Sequence, residues 1–312
     1  MTSRRSLIAF VATILVTSTF SAFAQDWRAK YPELTFSVVP AENASGVIER
    51  YTPFTDYLSR MLGVKVNLRI ANDYAAVIEG QRAGNIHIAS YGSASFARAQ
   101  LNGVKTDAFA IDLNADGSKG YYSVFYVKKE SSYKSIEDLK GKNLGLVDPN
   151  STSGNNVPRL VLDKKGIIPE TYFGKMVYTG SHENAVLALV QGTVDVAANA
   201  WTDEKDSTLT RMISKGMLKN TDGSLMKYED FRIIEKSDPI LNGPIAYLSD
   251  LPPDLKAKIA EAFFNLRKND KAAADKIYDG KLDREGWAPA KTEDWNPVVD
   301  LVKFVDTLRR KN

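Results

Sequence analysis

Asn143-Leu144-Gly145-Leu146-Val147-Asp148-Pro149-Asn150-Ser151-Thr152-Ser153-Gly154 decides how the chain is read, because a short buried strand hands over here to a helix through three consecutive hydroxyl residues. Asn143 to Val147 has the length and apolar content of a sheet-core strand, and Asn155 to Lys165 carries Val157, Leu160 and Val161 at helical spacing. The turn between them lies at a helix N-terminus, where the first amides have no intrahelical partner and the macrodipole is positive. A tetrahedral oxyanion can bond those amides and the Ser151, Thr152 and Ser153 hydroxyls together, and Gly154 permits close approach to the backbone. Ser, Thr, Asn and Asp are also the ordinary residues of an N-cap, so the stretch alone supports capping as well as binding.

Outward from this turn, strands and helices alternate in both directions, which is the pattern of an α/β fold. Towards the N-terminus, strands are expected at Leu34 to Val39, Val64 to Ile70 and Ile86 to Ser90, with helices at Val47 to Leu62, Tyr74 to Ala83 and Ser93 to Leu101. His87 falls in the third strand, on the face opposite Ile86 and Ile88, as a packed sheet histidine. Ala108 to Leu113 and Tyr121 to Val127 are extended runs on either side of a polar turn, Asn114 to Gly120, and mark a first crossing into a second lobe. There the alternation repeats: helix Ser135 to Lys140, strand Asn143 to Val147, strand Lys175 to Tyr178, helix His182 to Val190, strand Val194 to Ala198 and helix Glu204 to Lys215. Strands Phe231 to Glu235 and Pro244 to Leu248 bracket a turn-rich return link, and helices from Pro252 to Lys268, Ala272 to Tyr278 and Pro297 to Arg310 close the chain over the first lobe. The expected architecture is two lobes, residues 25–115 plus 240–312 and residues 116–239, each a mixed, mainly parallel sheet flanked by helices. Two crossing segments leave a cleft that closes by hinge motion.

Composition narrows the partners. Arg4 and Arg5, the apolar run Leu7 to Phe20 and Ala22-Phe23-Ala24 give residues 1–24 the form of a cleaved export signal, with Gln25 as the expected first mature residue. The apolar run is shorter than the ~20 residues of a spanning helix. There is no cysteine, so the expected product carries neither lipid anchor nor disulfide and relies on its core in an oxidising compartment such as the periplasm. Of 41 basic and 38 acidic residues two basic ones lie in the signal, so the mature chain is nearly neutral and lacks the basic stripe of a nucleic-acid binder.

Three features converge with the hydroxyl turn. Tyr121 begins a crossing strand beside Gly120 and can reach an interlobe cleft. His182 begins a helix after Gly180-Ser181 and can donate an N–H to an oxyanion. Asn72-Asp73-Tyr74 lies at a strand-to-helix turn of the first lobe, where open α/β sheets bind ligands.

Taken in order, Tyr51-Thr52-Pro53-Phe54, Asp73-Tyr74-Ala75, Tyr91-Gly92, Ala115-Asp116-Gly117-Ser118 through Gly120-Tyr121, Asp148 to Gly154, His182-Glu183-Asn184-Ala185, Val194-Asp195-Val196-Ala197 and Gly286-Trp287-Ala288-Pro289 resemble the periplasmic substrate-binding proteins of phosphonate ABC transporters and their phosphite- and phosphate-binding relatives. The resemblance implies a type II-like two-lobe fold and a non-catalytic protein without cofactor or metal that delivers its anion to a membrane permease, as a monomer or weak dimer. It also implies that Ser151, Thr152 and Ser153 hold the phosphonate oxygens while Tyr74, Tyr121 and His182 complete the shell. Relatives that take aminoalkylphosphonates place acids against the ligand's ammonium; the corresponding places here hold Asp203 and, just before Pro244, Asn242-Gly243. The missing second carboxylate leaves methylphosphonate, phosphite or phosphate open, with Trp201 either closing the tail pocket or packed at the lobe edge. Alternatives are the same fold carrying a sulfonate or a phosphorylated vitamin, and a periplasmic phosphorus-ester hydrolase. The last is disfavoured because His87 and His182 are the only histidines, with neither a P-loop nor a nucleophile elbow.

Overall fold

The computed structural model describes residues 27–279 and 286–311, so the expected export signal lies outside the described residues. The first lobe begins with α1 (Trp27–Lys30), β1 (Glu33–Val38), α2 (Ala44–Leu62), β2 (Lys65–Ile70), α3 (Tyr74–Arg82), β3 (Ile88–Ser90), α4 (Ser93–Leu101) and β4 (Thr106–Asp112). The chain then crosses and builds β5 (Gly120–Lys128), β6 (Asn143–Leu146), α5 (Val157–Lys164), α6 (Pro169–Tyr172), β7 (Lys175–Tyr178), α7 (His182–Val190), β8 (Val196–Asp203), β9 (Asp206–Ser207), α8 (Thr208–Ser214), β10 (Phe231–Lys236) and β11 (Ile240–Leu241). It returns through β12 (Pro244–Leu248), α9 (Pro253–Phe264), α10 (Leu266–Asn269), α11 (Lys271–Tyr278), β13 (Trp287–Pro289) and α12 (Asn296–Lys311).

The first sheet runs β13-β4-β12-β3-β1-β2 and the second β10-β5-β8-β6-β7, with β11 added to β5 and β9 to β8. Both are mixed, but parallel pairing is confined to β3-β1-β2 and β8-β6-β7. The rest is antiparallel, because the crossing strands β5 and β12 enter each sheet against its direction. The sequence signal for a mainly parallel sheet came from the strand–helix alternation, which says nothing about the crossing strands.

Each lobe has its own core. In the first, Phe36, Phe54, Phe263 and Trp287 pack with neighbouring ring centroids 4.8–6.3 Å apart, tilted or edge-on, and so hold α9 and β13 against β1 and α2. Such aromatic pairs contribute about 0.5–1.5 kcal/mol each beyond the area they bury. In the second, Phe125, Leu144, Leu146, Leu162 and Val196 fill one face of the sheet, and Val124, Tyr126, Ala197, Leu189 and Leu209 the other. Burial on both faces is what makes β6 and β8 read as near-continuous apolar runs. The expected helix from Glu204 is replaced by a hairpin: Lys205 and Asp206 amides both donate to Asp203 Oδ1, at 2.6 and 2.8 Å, and α8 starts only after Ser207 caps it. The segment expected as helix at Ser135 to Lys140 is a short 3₁₀ turn, Ile136–Leu139.

Four helices, α3, α4, α5 and α7, start just beyond the carboxyl ends of parallel strands β2, β3, β6 and β7. Of these, α4 and the turn before α5 face each other across the gap, and α7 meets the loop after β1. The gap is closed. Ala94 N–H donates to Thr152 Oγ1 at 2.8 Å, His182 N–H to the Ala41 carbonyl at 2.9 Å, and Asn43 N–H to Glu183 Oε2 at 2.9 Å, each from one lobe to the other.

Candidate ligand-binding site

The hydroxyl turn does not go straight into an α-helix. Residues Thr152–Asn156 form one turn of π-helix, with the Asn156 amide on the Ser151 carbonyl at 3.1 Å, before α5 begins at Val157. Wider i→i+5 turns of this kind often mark functional positions. Gly154 makes the turn possible: a Cβ there would lie 2.3 Å from the Val147 side chain and 2.8 Å from Ser151 Oγ.

Two of the three hydroxyl oxygens already accept a backbone hydrogen bond. Ser151 Oγ accepts from the Gly154 amide at 3.1 Å and Thr152 Oγ1 from Ala94, which leaves each hydroxyl proton to donate. Ser153 Oγ lies 3.5 Å from His182 Nε2. The other ring nitrogen, Nδ1, accepts from the Ala200 amide at 3.3 Å, so the neutral imidazole carries its proton on Nε2, facing Ser153. Burial holds the His182 pKa down at about 4, helped by the charge of Arg211 and opposed by a hydrogen bond with Asn199. Tyr74 bonds with Ser151, and Tyr121 with Ser153 and Thr152; burial raises both phenols, which keeps them protonated donors. Asp148 is tied by the amides of Asn150 and, across the gap, Tyr74, while burial raises its carboxyl.

Tyr74, Tyr121, Ser151, Thr152, Ser153 and His182 therefore line one interlobe cavity of about 250 Å³, whose wall also includes Glu42, Arg50, Tyr51, Tyr91, Gly92, Thr208 and Arg211. The other three expected residues lie elsewhere. Asp203 is exposed at the β8–β9 turn and spends its carboxylate on that turn. Trp201 packs against Tyr122 and donates its indole N–H to the Tyr228 hydroxyl at 3.1 Å, away from the cavity. Asn242 is buried in the return link and donates to the Asp112 carbonyl at 2.9 Å and Asn114 Oδ1 at 3.2 Å, joining the two crossing segments. Sequence reasoning missed Glu42, Arg50 and Arg211. Arg50 Nη1 donates to Glu42 Oε1 at 2.6 Å, and Arg211 Nη1 stands 3.5 Å from Glu42 Oε2. No local pattern links these three. Hydroxyl, phenol and imidazole groups from helix starts and from β5 thus meet around this one cavity.

Residues 36–295 match the family described as ABC transporter, phosphonate, periplasmic substrate-binding protein. The chain belongs to that family. A curated relative, the phosphonates-binding periplasmic protein of Escherichia coli K12, is 33% identical over 287 residues, covering 89% of this chain and 79% of its own. The phosphate-import protein PhnD of Mycolicibacterium smegmatis is 32% identical over 242 residues, covering 75% and 72%. Among solved structures, a binding-protein component of an ABC phosphonate transporter from Pseudomonas aeruginosa superposes with a TM-score of 0.75 at 26% identity, covering 89% of this chain and 88% of that one. In this binding protein the two-lobe architecture is that of a transport component.

Proposed function

We propose that this chain captures a phosphonate-type oxyanion (a phosphonate, methylphosphonate, phosphite or phosphate) by closing its lobes, and delivers it to an ABC permease of the inner membrane. The observation that carries the reading is the convergence of three hydroxyls, two protonated phenols and a neutral Nε2–H imidazole on one cavity, from helix starts of both lobes and from β5. A multiply charged anion taken out of water needs that density of donors. The relatives named for phosphonate and phosphate support the same class of cargo. In this reading residues 1–24 direct export to the periplasm, residues 25–115 plus 240–312 and 116–239 move as two bodies, and the protein acts as a monomer or weak dimer without catalysing a reaction. Calorimetric titration with methylphosphonate, 2-aminoethylphosphonate, phosphite, phosphate and sulfate is expected to show saturable one-to-one binding of a phosphorus oxyanion. The double substitution Ser151→Ala/Thr152→Ala should weaken it by about a hundredfold or more, since hydrogen bonds to a charged group contribute ~1.5–3 kcal/mol each. A folded double variant with native affinity would sink the assignment.

A further inference from the structure

We propose that the side of the cavity lined by Arg211 and Arg50 is a guanidinium subsite for the ligand's tail, and that it selects phosphonates ending in a carboxylate over those ending in an ammonium. The proposal rests on the oxyanion reading above and extends it to the rest of the ligand.

Arg211 projects from α8 into the cavity wall. Its carboxylate neighbours are Glu42 Oε2, 3.5 Å from Nη1, and Asp279 Oδ2, 3.7 Å from Nε, across separations too long for good hydrogen bonds. Nε is buried without a hydrogen-bond partner among the described residues. The guanidinium thus has its charge compensated while its directional donors stay unspent. Arg50 is fixed beside it: Nε and Nη2 chelate the Ile277 carbonyl at 3.1 and 2.8 Å, and Nη1 donates to Glu42 at 2.6 Å. Of the five N–H groups of a guanidinium, that geometry leaves two on Arg50.

Glu42 is the one acid among the described residues lining this cavity, against two arginines. Its Oε1 is taken by Arg50, and its Oε2, although without a hydrogen bond, faces Arg211. An ammonium reaching Oε2 would sit beside that guanidinium and be repelled by it. A carboxylate meets the reverse situation: with Arg211 Nε turned towards Asp279, the Nη1 and Nη2 edge of Arg211 and the two remaining N–H groups of Arg50 are the donors it would take up. Asp279 and Asp206 line the small adjoining cavity shared by Arg50 and Arg211, and Asp112 also interacts with the Arg50 charge.

Arg211 is also a contact between lobes, so its removal can weaken closure for any ligand. The deciding readout is therefore a ratio. Calorimetry with phosphonoacetate, methylphosphonate and 2-aminoethylphosphonate is expected to rank phosphonoacetate about tenfold or more above the aminoethyl compound. In Arg211→Gln, phosphonoacetate should fall to the level of methylphosphonate while methylphosphonate falls much less. An equal loss for both would overturn the subsite and leave Arg211 as a closure contact, as would tighter native binding of 2-aminoethylphosphonate than of phosphonoacetate. If none of the three binds the native protein while phosphite or phosphate does, the subsite is overturned and the oxyanion reading stands; if no phosphorus oxyanion binds, both fall.

Discussion

At the scale of single residues, burial decides where the protons of the cavity sit. His182 is 5% exposed and held neutral with its proton on Nε2, and the phenols of Tyr74 and Tyr121 are kept from ionising by burial. The imidazole has a consequence for stability. An unfolded histidine titrates at 6.5, whereas burial lowers His182 to about 4. Between those values the unfolded chain takes up a proton that the folded one refuses. The His182 contribution is therefore complete above pH 6.5 and declines as pH falls towards 4, by at most roughly 3 kcal/mol. Thermal midpoints measured from pH 7 to 4 should drop less steeply in His182→Gln than in the native protein; parallel curves would contradict this. Residue identity was legible wherever a turn gathered it locally: Ser151, Thr152, Ser153 and His182 each sit at the start of a helical segment that the sequence announces. Arg50 and Arg211 were not legible. Each reads in the sequence as an exposed helical cation, and only the meeting of the lobes turns both inward against Glu42.

At the scale of elements, alternation gave most strands and helices, and the misses have local causes. The π-turn at Thr152–Asn156 looks like an ordinary helix start because its extra width is imposed by packing of Gly154 on Val147, a tertiary contact. The β8–β9 hairpin was absorbed into a helix because Asp203 is as good a helix cap as a turn residue; Ser207, the actual cap, was the available signal. The tight contact makes a test. Gly154→Ala must push the turn off β6, and is expected to destabilise the protein by about 1–3 kcal/mol in urea unfolding. Anion affinity should fall in the same variant, because the hydroxyls move with the turn. A variant as stable as the native protein would show that the turn yields more easily than its contacts imply.

At the scale of the whole molecule, the recurrence of the strand–helix alternation on either side of the 114–120 turn was legible as two lobes. Their closed arrangement was not, since it depends on backbone groups that no sequence pattern marks. Glu183 is buried and reaches from the second lobe to the Asn43 amide of the first without lining the cavity. Glu183→Ala removes that tie and should favour the open arrangement. Affinity is expected to fall by about tenfold for every accepted anion, with the order of preference unchanged. A changed order would mean that Glu183 senses the ligand. Small-angle scattering should show a larger radius for the ligand-free variant.

The bonds from Ala94 to Thr152 and from His182 to Ala41 also bear on how cargo leaves. They stitch together the same loops that line the cavity proposed for the anion. Any docking event that levers those loops apart strips away one side of the anion's solvation substitute in the same stroke. Unloading would then need no machinery aimed at the phosphorus group itself, only a mechanical grip on the outer surfaces of the two halves.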